Sequence, residues 1–280
     1  MKRSLKRVLA HETLEIMERG EYIAPSGKNV RIKGALFCAA AGSKLYRPDD
    51  FPAPLQPAGA AGAVIAEVTG ETTLAAARRL AGSDVVALNF ASAKNPGGGF
   101  LNGAEAQEES LARSSGLYAC LTANREMYEY NRQLRTGLYS DHMIYAPRIP
   151  VFRDDQGALL ENPYLVSIIT APAVNAGVVM RGGSGEHELI RPIMQTRLAN
   201  LLWVAHQHNH RAIILGAWGC GVFRNDPAMI AELFSEALGP QGRYRAWFDH
   251  IVYAVYDRAE QQPTLAAFRR QLAESAVFRE

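Results

Sequence analysis

Three segments with little between them constrain the fold more than any other part of the chain. Ala63-Val64-Ile65-Ala66-Glu67-Val68 has strand character, Thr72 offers a hydroxyl cap to a helix over Thr73 to Leu80, and Val85-Val86-Ala87-Leu88-Asn89-Phe90 is a short apolar run typical of a buried strand. Strand, helix and strand with short links form a βαβ unit, which implies a layered α/β fold. The same patterning predicts strands at Tyr164 to Thr170, Ala212 to Leu215 and His250 to Val255, and helices at Glu186 to His208, Asp226 to Leu238 and Pro263 to Ala276. Ser4 to Glu18 carries Leu5, Val8, Leu9, Leu14, Ile16 and Met17 at helical spacing, with Gly20 as a stop. Lys28 to Leu36 alternates as a strand would. Ser43 to Ala63, rich in Pro, Ala and Gly, reads as a long irregular connection, and His142 to Pro147 and Ile149 to Arg153 as short strand pieces about a turn. No domain boundary stands out, so the 280 residues are expected to form one domain, with residues 1–60 as an extension packed on its core.

Charge narrows the partner. With 30 Lys+Arg against 28 Asp+Glu there is no broad electrostatic case for nucleic-acid or membrane binding. Apolar runs are too short to span a bilayer, and Met1 to Arg7 does not lead into a signal-peptide core, so a cytoplasmic protein is expected. Cys38, Cys120 and Cys220 are odd in number and lack metal-type spacing, which argues against disulfides and structural zinc.

The strand ending at Phe90 runs into Asn95-Pro96-Gly97-Gly98-Gly99-Phe100, and a helix from Ala106 to Leu117 follows. The strand ending at Leu215 runs into Gly216-Ala217-Trp218-Gly219-Cys220-Gly221-Val222-Phe223. In open α/β sheets ligands bind beyond the carboxyl ends of strands, and glycines there bring backbone N–H groups close to an anion. Two such loops suit a diphosphate. Gly98 and Gly103 have P-loop spacing, but Ala104 and Glu105 stand where that motif needs Lys and Ser or Thr. The dinucleotide fingerprint fails too, with Asn102 and Arg224 in place of its third glycine.

Glu108 and Glu109 diverge by about 100 degrees on a helix, so one can react while the other holds the substrate. Acidic residues are common in a first helical turn for stability alone. Beside a bound diphosphate and partly desolvated, however, a glutamate gains affinity for a proton and can protonate a leaving oxygen as a ribosyl oxocarbenium develops.

Gly97-Gly98-Gly99, the spacer Phe100 to Ala106, and Gln107-Glu108-Glu109 together resemble the signature of the poly(ADP-ribose) glycohydrolases, which are macrodomain proteins. Glu12-Thr13-Leu14, Leu88 to Ser92, Thr170 to Asn175 and the Gly216 to Phe223 loop with Asn225-Asp226-Pro227 are similar to the compact bacterial type. The resemblance implies a three-layer α/β/α macrodomain-like fold with a mixed central sheet and an N-terminal helical extension. It implies that Glu109 protonates the departing ribose hydroxyl and then helps activate water, while Glu108 fixes the ribose hydroxyls and Gln107 supports both. Gly97, Gly98 and Gly99, with Asn95 and Phe100 beside them, would wrap the diphosphate and the attacked ribose. Gly219, Cys220, Gly221 and Val222 would close over the diphosphate, and Phe223 would pack on the terminal ribose. Ser92 stands near where the animal members carry asparagine. The implied substrate is poly(ADP-ribose) on ADP-ribosylated proteins, attacked from chain ends by a monomer without metal or cofactor. Two alternatives stay open: a non-catalytic ADP-ribose reader, and a hydrolase of another ADP-ribosyl linkage.

Other residues read as structural. His206, His208 and His210 are expected to cap a helix C-terminus as cations, and Cys220 to pack rather than attack. Ser184 sits in a glycine-rich loop without the strand of a nucleophile elbow. Tyr128, Tyr130, Tyr139 and Tyr145 offer aromatic faces to an adenine, although buried tyrosines with a bonded hydroxyl are commoner.

Overall fold

The computed structural model describes residues 1–52, 55, 62–182 and 185–279. In chain order the elements are α1 (Arg3–Arg19), β1 (Glu21–Ile23), β2 (Asn29–Arg31), α2 (Lys33–Ala41), β3 (Lys44–Tyr46), β4 (Ile65–Thr69), α3 (Thr73–Arg79) and β5 (Val85–Phe90). There follow α4 (Gln107–Ser114), α5 (Leu117–Ala123), α6 (Glu126–Gln133), β6 (Met143–Arg153), β7 (Leu159–Ala171), α7 (Ala176–Gly182) and α8 (Ile190–Gln207). The chain closes with β8 (Ala212–Leu215), α9 (Pro227–Leu238), β9 (His250–Ala254), α10 (Pro263–Gln271) and β10 (Val277–Arg279).

Eight strands form one mixed sheet in the order β10-β4-β9-β8-β5-β7-β6-β3. Neighbours from β10 to β7 run parallel, and β6 and β3 complete the edge antiparallel. The central strands read as apolar runs because both faces are covered. Val85 and Ala87 enter one core with Leu74 of α3 and Leu121 of α5, while Val86 and Leu88 enter the other with Leu201 of α8 and Phe234 of α9. Successive side chains point to opposite faces, so a doubly covered strand needs an apolar residue at nearly every position. The result is the α/β/α layering expected. The Thr72 hydroxyl caps α3, accepting from the Ala75 N–H at 3.0 Å.

The structure corrects several sequence expectations. On α1 the buried residues are Lys6, Ala10, Thr13 and Ile16, whereas Leu5 and Val8 are 48% and 61% exposed. The alternation after Lys28 yields only β2 before the chain turns into α2. The connection from Ser43 contains β3, which is bonded into the main sheet, while residues 53, 54 and 56–61 lie outside the described set. The first 60 residues therefore contribute an edge strand and not only an extension. The two pieces around Pro147 are a single strand, β6, bulged between Ala146 and Ile149 where Arg148 takes a φ of 45°. The helix from Ala106 breaks at Ser115, whose extended backbone bridges Val151. Residues 186–189 form a 3-10 turn, so the long helix starts at Ile190, and α10 stops at Gln271. Gly183 and Ser184 lie outside the described residues.

The expected histidine cap does not form. His206 stacks on Trp247 at 4.6 Å, His208 stacks on Tyr145 at 3.5 Å, and His210 Nε2 pairs with the Tyr145 hydroxyl at 2.9 Å. Burial pushes His208 down to about 4, so that ring is neutral at physiological pH.

Arg197 of α8 is fully buried and clamps the chain on either side of β6 and β7. Its Nη1 donates to Pro172 O at 2.9 Å, Nη2 to Leu138 O at 3.1 Å, and Nε to Asp141 Oδ1 at 2.7 Å. Arg197→Met would strand two carbonyls and a carboxylate. We expect a loss of about 3 to 5 kcal/mol in stability by denaturant titration; a loss below about 1 kcal/mol would contradict a structural clamp.

Candidate active site

The site begins where β8 ends. β5 pairs with β8 only as far as Ala87, which leaves the Leu88 carbonyl and the Phe90 N–H without a strand partner on that side. Gln107, the first residue of α4, takes both. Its Nε2 donates to Leu88 O at 2.7 Å and its Oε1 accepts from Phe90 N–H at 2.8 Å, while Nε2 also reaches the Thr73 hydroxyl at 3.1 Å. A side-chain amide thus continues the sheet ladder for one step and fixes the start of α4 against the strand end.

With α4 fixed, the two glutamates part. Glu108 turns inward and is 3% exposed. Its Oε2 accepts from Ser92 N–H at 2.7 Å and its Oε1 from Asn89 Nδ2 at 3.3 Å. Burial pushes its carboxyl up to about 8, the Ser92 N–H opposes the shift, and the charge of Glu109 adds to it. Glu109 stays half-buried at the cleft. Its Oε1 accepts from Gly99 N–H at 2.9 Å and its Oε2 from Ala106 N–H at 2.9 Å, the latter reaching back to the N-cap residue of α4. Gly98, at φ 59°, lies so close to Glu109 Oε1 that a Cβ would collide with it. The glycine is needed both for its backbone angle and for that approach.

The second loop is anchored from beneath. Trp218 is buried and its indole donates to Ala171 O at 3.0 Å, and Asn225 Nδ2 donates to Val174 O at 2.7 Å and Gly219 O at 3.2 Å. Among the described residues, the N–H groups of Gly219, Gly221, Val222 and Phe223 donate to no protein acceptor. The helix after this loop is not itself an open anion site, because Asp226 caps it by accepting from Ala228 N–H at 3.0 Å. An anion here would therefore be held by loop amides, not by the α9 terminus.

Both loops face one cavity of about 1290 Å³. Asn95, Gly98, Gly99, Gln107, Glu108 and Glu109 line it from one side, and Gly219, Cys220, Gly221, Val222 and Phe223 from the other. Two expected contacts are not brought there. Phe100 is 1% exposed and packs on Tyr118 at 4.9 Å and against Ala10 and Ala112, a peg holding the loop to α1 and α4. Gly97 is buried, and its turn is shaped by contact with Phe100 and Ala112. Burial pushes the Cys220 thiol up to about 12, in keeping with a packing residue. Tyr128 and Tyr145 are core residues, and Tyr130 packs on His142.

Sequence reasoning missed Asn89 and Thr73 as supports, and the rim formed by α1 and residues 256–258. Glu105 bridges Lys6 and Arg258 across that rim, and these two cations, Lys6 first, hold its carboxyl down at about 2. Asn89, an amide inside an otherwise apolar strand, was the available signal. The rim left none, since its partners are about 100 and 150 residues apart.

Among the described residues no group of three or more His, Cys, Asp and Glu could hold a metal ion, and no helix is long and apolar enough to cross a membrane. Residues 10–154 match the model for the microbial-type PARG catalytic domain. The fold is similar to that of poly(ADP-ribose) glycohydrolase from Thermomonospora curvata, at TM-score 0.91 and 50% identity over 96% of this chain and 99% of that one. It is also similar to the same bacterium's enzyme bound to the inhibitor ADP-HPD, at TM-score 0.87, 49% identity and the same coverage. The Deinococcus radiodurans enzyme in complex with ADP-ribose gives TM-score 0.78 and 46% identity over 87% of this chain and 98% of that one. No curated protein matches the chain. A family match over half the chain, joined to likeness at about half identity over nearly all of it, leaves one conclusion: the chain belongs to the microbial-type poly(ADP-ribose) glycohydrolase family.

Proposed function

We propose that this protein hydrolyses the ribose–ribose bonds of poly(ADP-ribose), with Glu109 as general acid and base. The observation that carries the assignment is the division of labour between the two glutamates. Glu108 sits nearly buried in the cavity wall, held at both oxygens with its carboxyl raised to about 8 by burial, whereas Glu109 stands in the cavity on two backbone N–H groups. A neutral carboxyl can both donate to and accept from ribose hydroxyls, which suits Glu108 for fixing the sugar. The diphosphate would lie against the free amides of Gly219, Gly221, Val222 and Phe223, with the Phe223 ring beside the terminal ribose.

Cleavage then needs one proton moved twice. As the bond between the anomeric carbon and the leaving oxygen breaks, Glu109 gives its proton to that oxygen. Water adds to the anomeric carbon and returns a proton to Glu109. Attack from chain ends is part of this reading, because the Lys6–Glu105–Arg258 bridge crosses the rim and a polymer continuing past it would have to displace it. The carrier would be an ADP-ribosylated protein and the enzyme a cytoplasmic monomer, with no broad charged field for nucleic acid.

Glu109→Gln should reduce ADP-ribose release from polymer by roughly a hundred- to ten-thousandfold while ADP-ribose still binds in calorimetry. Undiminished turnover would move the acid role elsewhere. Gly98→Ala should leave the circular dichroism spectrum unchanged yet cost about a hundredfold in kcat, because its methyl group displaces the Glu109 carboxyl; a near-wild-type kcat would count against that placement. Glu108 also predicts a pH dependence. Its folded-state value is raised, so between the ordinary carboxylate range and about pH 8 the folded protein keeps a proton that the unfolded chain releases. Its contribution to stability therefore falls as pH rises through that window and is level above it. Thermal melts from about pH 5 to about pH 8 should show Glu108→Gln gaining on the wild type with rising pH, and parallel curves would refute the raised value.

A further inference from the structure

Next to Phe223, outside the cavity, an aromatic ring and two cations come together, and a third cation follows Phe223 in the chain. Tyr139 adopts a φ of 57°, a left-handed conformation that a bulky side chain holds only when its surroundings impose it. The surroundings do so. Buried Arg197 donates to Leu138 O and Tyr139 O, Asn175 N–H donates to Gly137 O at 2.8 Å, and Asn131 Oδ1 accepts from Ser140 N–H at 2.8 Å. The turn thus presents the Tyr139 ring next to Phe223, at 5.9 Å between centroids. Lys94 Nζ lies 5.9 Å from the same ring, and Arg132 Nη1 donates to Lys94 O at 2.5 Å. Arg224 follows Phe223 with a φ of 59° and is exposed. Among the described residues, Lys94, Arg132 and Arg224 enter no ion pair.

A π face with unpaired cations on one surface is the arrangement by which single-stranded nucleotide polymers are held, bases on rings and phosphates on cations. The position shows which part of a polymer it meets. Phe223 lines the cavity and also packs on Tyr139, which does not, and Lys94 lies two residues past Ser92, whose N–H holds Glu108. Tyr139, Lys94 and Arg132 do not line the cavity. The surface therefore begins where the terminal unit's enclosure stops, on the side of the loop that holds Glu108.

We propose that Tyr139, Lys94 and Arg132 form a docking platform for the ADP-ribose unit on the leaving side of the scissile bond. Its adenine stacks on Tyr139 and its diphosphate meets Lys94 and Arg132. Arg224 adds charge at the edge. The platform rests on the glycohydrolase reading, and it makes polymer a better substrate than a single terminal unit with a small leaving group.

The test uses the full chain carrying Tyr139→Ala, Tyr139→Phe or Arg132→Glu. KM is measured on poly(ADP-ribose) and, separately, the calorimetric Kd for ADP-ribose. Tyr139→Ala and Arg132→Glu should each raise the polymer KM by about tenfold with the ADP-ribose Kd unmoved, and Tyr139→Phe should restore the wild-type KM. An unchanged polymer KM in both disruptive variants overturns the platform, and Arg132, being exposed, keeps that outcome independent of any folding defect at Tyr139. Equal loss of ADP-ribose affinity overturns it too, since it would place Tyr139 in the terminal unit's site. So does tighter capture of single-stranded oligoadenylate than of polymer, lost in the same variants, which would make the surface a nucleic-acid site. A wild type that released no ADP-ribose at all would instead defeat the glycohydrolase reading.

Discussion

Everything at the site depends on the grip of Gln107 on the end of β5. A central strand that outruns its neighbour exposes a carbonyl and an N–H that cannot be left unpaired in a buried place. The Gln107 amide carries one donor and one acceptor at the separation a neighbouring strand would supply, and it satisfies both. The start of α4 is thereby registered to the sheet. Once Gln107 is placed, helix geometry sends the next residue inward and the one after it toward the cleft, so the burial of Glu108 and the exposure of Glu109 follow from one pair of hydrogen bonds.

That division also bears on the charge of Glu108. Two adjacent carboxylates, both ionised beside a diphosphate, would repel each other and the substrate. Burial removes the charge from Glu108, and backbone N–H groups, which cost no mobile side chain, surround Glu109. The glycines contribute by the absence of side chains. Gly98 must admit the Glu109 oxygen, and the amides of Gly219 and Gly221 point at no protein acceptor.

The fold was legible wherever local pattern and tertiary environment agree. β5, α3 with its Thr72 cap, β8 and β9 carry their signals within a few residues, and the two glycine loops fall at strand ends as α/β topology requires. Reading failed where a distant contact overrides local preference. Ser115 is extended because Val151 draws it into a bridge, and Arg148 bulges so that β6 can continue between two prolines. The same holds for the site. Glu108, Glu109 and Gln107 could be found from their spacing, but Phe100 looked like a contact and is a peg, because its fate is set by Ala10 of a helix some ninety residues earlier. The three histidines looked like a cationic cap and are aromatic packing, since neither Trp247 nor Tyr145 is near them in sequence.

The bridge from Lys6 through Glu105 to Arg258 bears on the order in which the chain is made. α1 precedes in the chain the partners it contacts, which are a loop at Phe100 to Gly103, the carbonyl of Arg113, and the buried Arg153. Glu105 receives its second cation only when residue 258 has emerged. α1 is thus made before these partners and can be seated only after them. The nascent chain carries both glutamates and the first glycine loop long before a finished cavity surrounds them, and β8, β9 and the second loop must join before the wall closes. The cavity wall is therefore complete only once the segment at Tyr256 to Arg258 has joined residues from the first half of the fold.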